Sequence, residues 1–112
     1  MDEEELLKKL REAFRAEAGE RLASMSSGLL ELEKIPDPDK LPPILEVVFR
    51  EAHSLKGAAR SVNLTDIETL CQAMEGVFAA MKRDEISLSE GLFDLLHQCV
   101  RAVEDSLAAL EG

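Results

Sequence analysis

The apolar residues in the first third of the chain recur at steps of three and four positions, which is the spacing of one face of an α-helix. They are Leu7, Leu10, Phe14, Ala18, Leu22, Met25, Leu29 and Leu32. The acidic run at positions 2–5 lies at the start of this pattern, where the helix dipole favours negative charge. The pattern predicts one long amphipathic helix over about residues 3–34.

A proline cluster interrupts this pattern. All four prolines of the chain fall between positions 36 and 43, which predicts a loop. Pro42 and Pro43 are tolerated in the first turn of a helix, where proline costs little. A second helix is therefore predicted over about residues 43–62, with Asn63 in the left-handed conformation that often closes a helix. Its apolar face consists of Leu45, Val48, Ala52, Leu55 and Ala59.

Two further helices are predicted after this point. Segments 65–68 and 87–90 both have the spacing of a capping box, which marks the start of a helix, and Thr65 is the expected cap of the first. They predict a third helix over about residues 65–83 and a fourth over about 88–110. The apolar face of the third consists of Ile67, Leu70, Cys71, Met74, Val77, Phe78 and Met81. That of the fourth consists of Leu88, Leu92, Leu95, Leu96, Cys99, Val103, Leu107 and Leu110.

Four amphipathic helices with short connections pack best as an antiparallel bundle. The composition agrees, because only 12 of the 112 residues are Val, Ile or Thr, which favour strands. We therefore expect an all-α fold, an antiparallel four-helix bundle that forms a single domain over residues 1–112. An extra helical segment at one terminus is an alternative that the sequence leaves open. Because the chain ends abruptly at Gly112, soon after the last predicted helix, we also expect it to be a fragment of a longer protein.

The charge of the chain narrows the classes of partner. There are 13 Lys and Arg residues against 23 Asp and Glu, a formal charge of −10. This balance argues against general nucleic-acid binding and against docking on an anionic membrane, since both need an excess of cations. The chain has neither a signal-peptide pattern nor an apolar run long enough to span a bilayer. We expect a cytoplasmic protein that does not insert into membranes.

The two cysteines, Cys71 and Cys99, lie 28 residues apart within apolar patterns. This placement favours buried thiols in a reducing compartment. A disulfide or a metal site is the alternative, although the chain has no C-x-x-C spacing.

His53 is the residue that breaks the pattern of the second predicted helix. It follows the apolar position Ala52, so it lies about 100° around the helix from the apolar face and should be at least partly exposed. Its neighbours on the same face include Arg50 and Lys56, with Arg60 one further turn along, and no acid lies on the immediate strip. Such a cationic strip suits a dianionic phosphoryl group, which accepts charge-assisted hydrogen bonds. The alternative is an ordinary surface histidine.

Gly57 adds a second anomaly, one helical turn after His53. Glycine inside a helix costs about 1 kcal/mol relative to alanine, so its presence needs a reason. We expect it to clear space beside the imidazole for the close approach of a partner loop. Close packing of a neighbouring helix is the alternative.

His53, Lys56 and Gly57 have the spacing of the H-x-x-K-G core of histidine phosphotransfer domains, and the chain resembles that family. The wider segment 48–59 is similar to the N-terminal phosphotransfer domain of the CheA family of chemotaxis kinases. The similarity extends more weakly over nearly the whole chain. It implies a four-helix phosphotransfer module.

The resemblance also implies roles for individual residues. His53 would accept the phosphoryl group on Nε2, and Lys56 would stabilise that group. Glu75 on the third helix would hold Nδ1 of the imidazole, which fixes the tautomer. Its place beside Cys71 and Phe78, at the edge of the apolar face, agrees with this role. The alternative for Glu75 is a solvated surface acid.

The chain departs from the family pattern at two places. Gln72 stands where these domains usually carry a second histidine, three residues before the glutamate; an amide forms hydrogen bonds but does not titrate near neutral pH. Arg60 and Asn63 stand where the family tends to carry glycine. Arg60 would contact either the phosphoryl group or a particular partner. The other histidine, His97, has no cationic neighbours, and we expect a structural or incidental role for it.

The expected function is that of a phosphoryl carrier in two-component signalling. A histidine-kinase catalytic domain would phosphorylate His53 from ATP, and the aspartate of a response-regulator receiver domain would take the group. The chain has no glycine-rich nucleotide loop, so we expect no cofactor here, with ATP and Mg²⁺ on the kinase domain, and no turnover by the chain alone.

Other expectations concern assembly. We expect a monomer in isolation, because the apolar faces are used up within one bundle, and a place within a larger CheA-like kinase; a free-standing relay protein is the alternative. The competing function is a helical adaptor bundle without phosphotransfer. A metal-binding bundle is disfavoured because Glu-x-x-His pairs are absent from the sequence.

Overall fold

A computed structural model describes residues 2–34 and 37–110 of the chain. The described residues form four α-helices and one short 3₁₀ turn, and none of them lies in a strand. The helices are α1 (Glu3–Lys34), α2 (Leu41–Ser61), α3 (Thr65–Lys82) and α4 (Glu90–Ala108), and the 3₁₀ turn (Pro38–Lys40) precedes α2. The predicted all-α four-helix architecture is confirmed.

Each helix packs against two others. The helix α2 contacts α1 and α3, and α4 closes the bundle by contacting the same two helices from the opposite side. Because residues 62–64 are the only link between α2 and α3, these two helices run antiparallel with their side faces in contact. This arrangement places the exposed face of α2 next to an edge of α3.

The core follows the predicted apolar faces closely in the middle of the chain. All five predicted residues of the second helix are buried, and residues of all four helices join one continuous cluster. The buried residues of α3 are Ile67, Cys71, Met74, Phe78 and Met81. No polar or charged residue within the described ranges is buried.

At the ends of the bundle the prediction of buried residues was partly wrong. Leu10 is 45% exposed. The 32 residues of α1 span roughly 48 Å, and burial begins only at Phe14. Of the apolar face predicted for the fourth helix, Leu88, which precedes α4, and Leu95 are exposed. The buried face of α4 consists of Phe93, Leu96, Val100, Val103 and Leu107.

Helix ends also differ in detail. Asn63 has the predicted left-handed conformation, with φ 60°. Thr65 lies inside α3 and does not cap it: Leu64 occupies the N-cap position without a side-chain hydrogen bond. The cap of α4 is Ser89, whose hydroxyl accepts a hydrogen bond from Leu92 N at 3.2 Å, so that this helix begins two residues later than predicted.

The helix α2 begins at Leu41, before its two prolines and two residues earlier than predicted. It approaches α1 closely at Gly28, where an added Cβ would collide with the Val48 side chain. Nothing in the sequence singles out this glycine, because the collision depends on how the two helices pack.

The cysteines of the chain are both free; Cys71 is buried and Cys99 is half-buried. Burial raises the pKa of the Cys71 thiol to about 12, with a smaller contribution from the charge of Glu75. Among the described residues, no helix is both long and apolar enough to cross a membrane.

Candidate functional site

His53 lies in the middle of α2, next to the buried Ala52. The core packing of α2 therefore fixes the backbone at this position, while 62% of the imidazole side chain is exposed. A rigid backbone with an accessible ring is the arrangement that a group-transfer residue needs.

Glu75 reaches His53 from α3. Its Oε2 atom lies 2.9 Å from Nδ1 of the imidazole, and only 13% of the Glu75 side chain is exposed. Burial of Glu75 by itself raises its pKa, but hydrogen bonds from Lys56 and His53 outweigh burial and hold the pKa below its ordinary value. Glu75 is therefore ionised at neutral pH, so Nδ1 donates the proton and Nε2 of the neutral ring keeps its lone pair.

Lys56 completes this contact. Its Nζ atom donates a hydrogen bond to Glu75 Oε1 at 2.9 Å and lies equally close to Oε2. Lys56 is one turn after His53 on α2, so the two side chains hold the same carboxylate from one helix. The predicted grouping of His53, Lys56 and Glu75 is present.

A second set of side chains lies one turn before His53. The ring of Phe49 is nearly parallel to the imidazole, at 12°, with 6.3 Å between the ring centroids. The ammonium group of Lys82, at the end of α3, lies 4.2 Å from the Phe49 centroid and pairs with Glu46 Oε2 at 2.5 Å. No role was predicted from the sequence for either residue, and Lys82 could not be found because no local spacing connects a residue of α3 to His53.

The two arginines predicted beside His53 each have a carboxylate close by. Arg50 donates to Glu46 Oε1 at 2.8 Å, and Arg60 lies 3.9 Å from Glu68 Oε2. Glu46 precedes Arg50 by one turn and Glu68 belongs to α3, so both carboxylates lie outside the strip considered in the sequence. Both arginines project largely into solvent.

Gly57 and Gln72 lie at the edge of the site. No atom lies within 4 Å of the position that a Cβ of Gly57 would occupy. Its alternative role in helix packing is thus wrong, and the surface beside the imidazole is open. Gln72 is exposed on α3, and within residues 2–34 and 37–110 its amide forms no hydrogen bond.

The other histidine has a similar partner in a different setting. His97 on α4 places Nε2 3.2 Å from Glu33 Oε2 on α1, and 29% of its side chain is exposed. Across the described part of the chain, no three His, Cys, Asp or Glu residues form a cluster that could hold a metal ion.

A family model and several curated proteins match this chain. The family model for the Hpt domain matches residues 9–109. The chemotaxis protein CheA of Listeria monocytogenes is 29% identical over 98 residues, which cover 88% of this chain and 15% of the relative. The gliding motility regulatory protein of Myxococcus xanthus is 33% identical over 112 residues, which cover all of this chain and 14% of the relative.

A third relative, the chemotaxis protein CheA of Klebsiella aerogenes, is 31% identical over 88% of this chain and covers 15% of its own length. No solved structure matches the chain significantly. The chain spans about 15% of the length of the curated relatives that it matches. It belongs to the Hpt domain family, and its role is that of a phosphotransfer carrier in two-component signalling.

Proposed function

We propose that His53 accepts a phosphoryl group on Nε2 from a histidine-kinase catalytic domain, with ATP as the source, and passes it to the aspartate of a response-regulator receiver domain. The observation that carries this proposal is the contact of Nδ1 with Glu75 at 2.9 Å beside an otherwise exposed ring. This hydrogen bond occupies Nδ1 and leaves Nε2 as the nucleophile.

In the phosphoryl transfer itself, few side chains of this chain take part. The Nε2 lone pair forms a bond to the γ-phosphorus as the bond from phosphorus to the ADP oxygen breaks. The ring keeps its proton on Nδ1 and gains positive charge, which the Glu75 carboxylate stabilises. In the second transfer an aspartate oxygen attacks the phosphorus, the N–P bond breaks, and the electron pair returns to Nε2.

Lys56 has two roles in this proposal. In the resting state its ammonium group holds Glu75 as an anion. It lies one turn from His53, so it is also within reach of a phosphoryl group on the ring, to which it would donate a charge-assisted hydrogen bond. Gln72 has no part in either role, since its amide stays outside the hydrogen-bond network.

Three surface residues serve the partners in this proposal. The open space at Gly57 gives the donor or acceptor loop access to the imidazole. Arg50 and Arg60, largely exposed, contribute positive charge at a surface that must meet the acidic site of a receiver domain.

We also propose that the chain works as the phosphotransfer domain of a larger CheA-like kinase. Support comes from the curated relatives, of which the matched segment is a small part. ATP and Mg²⁺ would then bind to the kinase catalytic domain, and this chain would contribute the acceptor histidine alone.

The test is a labelling experiment with matched variants. Wild-type protein, His53→Gln and His97→Gln are incubated with a CheA-type kinase core and ATP labelled on the γ-phosphate. We expect acid-labile, base-stable label on the wild type and on His97→Gln, and none on His53→Gln. Addition of a receiver domain should then remove the label from both.

Two results would overturn the proposal. One is label that persists on His53→Gln, which would place the acceptor elsewhere. The other is an unlabelled wild type with several kinase cores that label their own phosphotransfer domains, which is the outcome expected of a helical adaptor.

A further inference from the structure

The face of the His53 ring has its own support, separate from the hydrogen bond at Nδ1. Phe49 lies one helical turn earlier, with its ring 12° from parallel to the imidazole and 6.3 Å away between centroids. That separation falls within the range in which aromatic rings attract each other in offset arrangements. Phe49 is half-buried and packs on the core, so it is the less mobile of the two rings.

Lys82 in turn fixes Phe49. Its ammonium group lies 4.2 Å from the Phe49 centroid, within the distance of a favourable cation–π contact. Glu46 accepts hydrogen bonds from both Lys82 and Arg50, and these bonds keep the Glu46 pKa below its ordinary value. The ammonium group is therefore held between a ring and a carboxylate, and it ties the end of α3 to the turn of α2 before His53.

The two supports restrict different motions of the imidazole. The hydrogen bond from Nδ1 to Glu75 fixes one edge of the ring but still permits rotation about that bond. A ring stacked against one face blocks movement towards the start of α2. The opposite side, towards Gly57, is open.

We propose that Phe49, held by Lys82 and Glu46, is a positioning residue that keeps His53 in the rotamer that presents Nε2 towards the open side at Gly57. The inference rests on the proposed function, because it assumes that Nε2 of His53 is the phosphoryl acceptor. It assigns to Lys82 a role through Phe49 and not through contact with the phosphoryl group.

The kinetic test uses phosphoramidate, a small phosphoryl donor that needs no protein docking. Phe49→Leu removes the ring but keeps an apolar side chain, and Lys82→Met removes the charge. Both should be phosphorylated about two- to fivefold more slowly than the wild type, the size expected when one aromatic or cation–π contact is lost. Lys82→Arg keeps the cation over the ring and should react at nearly the wild-type rate.

Lys9→Met is the matched control, since Lys9 is an exposed lysine near the start of α1. We expect it to react at the wild-type rate. Circular dichroism on all variants should show wild-type helicity, which would separate loss of positioning from loss of fold.

A second measurement reports the orientation of the ring directly. Three-bond NMR couplings between His53 Cγ and the backbone nitrogen and carbonyl carbon give the populations of the χ1 rotamers. We expect one dominant rotamer in the wild type and in Lys82→Arg. Phe49→Leu should show averaging over several rotamers, and Lys82→Met partial averaging.

The outcomes separate this inference from the function on which it rests. A wild type that takes no label from phosphoramidate or from kinase would overturn the proposed function. Labelled wild type with unchanged rates and couplings in Phe49→Leu and Lys82→Met would overturn the positioning role alone. Loss of the kinase-dependent rate with an unchanged phosphoramidate rate would also overturn it, because Phe49 and Lys82 would then belong to a docking surface.

Discussion

Two histidine–glutamate pairs lie on different sides of this bundle, and only one of them is built for group transfer. His53 contacts Glu75 at 2.9 Å between α2 and α3, and His97 contacts Glu33 at 3.2 Å between α4 and α1. The pairs are alike in residue type, in distance and in linking neighbouring helices. A histidine near a carboxylate is therefore not in itself a sign of phosphotransfer.

The difference lies in what surrounds each pair. Glu75 also accepts a hydrogen bond from Lys56, which keeps it ionised against the effect of burial. Within the described ranges, Glu33 forms an ion pair with His97 alone. The His53 side chain is 62% exposed and its ring is stacked beside Phe49, whereas the His97 side chain is 29% exposed. One turn after His53, no atom lies within 4 Å of the position that a Cβ of Gly57 would occupy. His53 therefore has two features of a nucleophile, an accessible ring and an ionised carboxylate that holds it, whereas His97 and Glu33 form an ordinary surface contact.

The largest difference between the two pairs is expected in the rate of phosphorylation when Glu75 or Glu33 is replaced by alanine. Glu75→Ala should slow kinase-dependent phosphorylation on the order of tenfold or more, because the imidazole loses both its preferred tautomer and its orientation. Glu33→Ala should leave the rate within about twofold of the wild type, since among the described residues Glu33 forms its ion pair with His97 and lies away from His53. Initial rates of labelling measure both, with circular dichroism to check helicity. Equal losses in the two variants would show that the pairs do not differ in function.

The next largest effect on the rate of phosphorylation is expected for Lys56, whose ammonium group pairs with Glu75. Lys56→Met should slow phosphorylation by about tenfold, which corresponds to the loss of one charge-assisted hydrogen bond. Arg60→Met is the matched control: sequence spacing placed both cations beside His53, but in the structure Arg60 lies 3.9 Å from Glu68 Oε2 and is largely exposed. We expect its rate with phosphoramidate to match the wild type. A larger loss in Arg60→Met than in Lys56→Met would contradict the assignment of Lys56.

Lys56 and Arg60 also show which features of the site could be predicted from the sequence and which could not. The spacing of His53, Lys56 and Gly57 is local to one helix, and the helical period of α2 is regular, so the face that they share could be predicted. The contact with Glu75 was predicted from family resemblance, and the structure contains it. It depends on the register of α3 against α2, which periodicity alone does not fix.

Features that depend on packing between helices escaped prediction. Glu68, which lies 3.9 Å from Arg60, belongs to α3. Lys82 reaches Phe49 only because α3 ends beside the start of α2. Leu10 repeats the helical spacing and is nonetheless 45% exposed, because burial depends on how the helices pack and not on spacing alone.

A smaller effect, on the free energy of unfolding, is expected when Gly57, which is open to solvent, and Gly28, which packs against Val48, are each replaced by alanine. Gly57→Ala should raise the free energy of unfolding by about 0.5–1 kcal/mol, because alanine favours the helix and no atom within 4 Å obstructs its methyl group. Gly28→Ala should lower it, since the methyl group would collide with Val48 between α1 and α2. Urea unfolding measures both. If Gly57→Ala destabilises the protein, then Gly57 serves packing and not access to His53.

The smallest effect is a change in the pH dependence of stability. Hydrogen bonds from Lys56 and His53 hold the pKa of Glu75 below its ordinary value of 4.5, although burial acts in the opposite direction. The unfolded chain therefore takes up a proton at Glu75 at a higher pH than the folded chain does. The resulting stabilisation is present above about pH 4.5 and is lost as the pH falls through the folded pKa.

Glu75→Gln removes this titration. Urea unfolding of the wild type and of Glu75→Gln between about pH 5 and pH 3 should show a steeper loss of stability on acidification in the wild type. Other carboxylates titrate in both proteins, so the difference between the two curves isolates Glu75. Curves that run parallel would mean that the contacts with Lys56 and His53 do not lower the pKa of Glu75 in the folded state. The His53 pair would then lose the feature that sets it apart from His97 and Glu33, and exposure of the ring would be left as the main distinction.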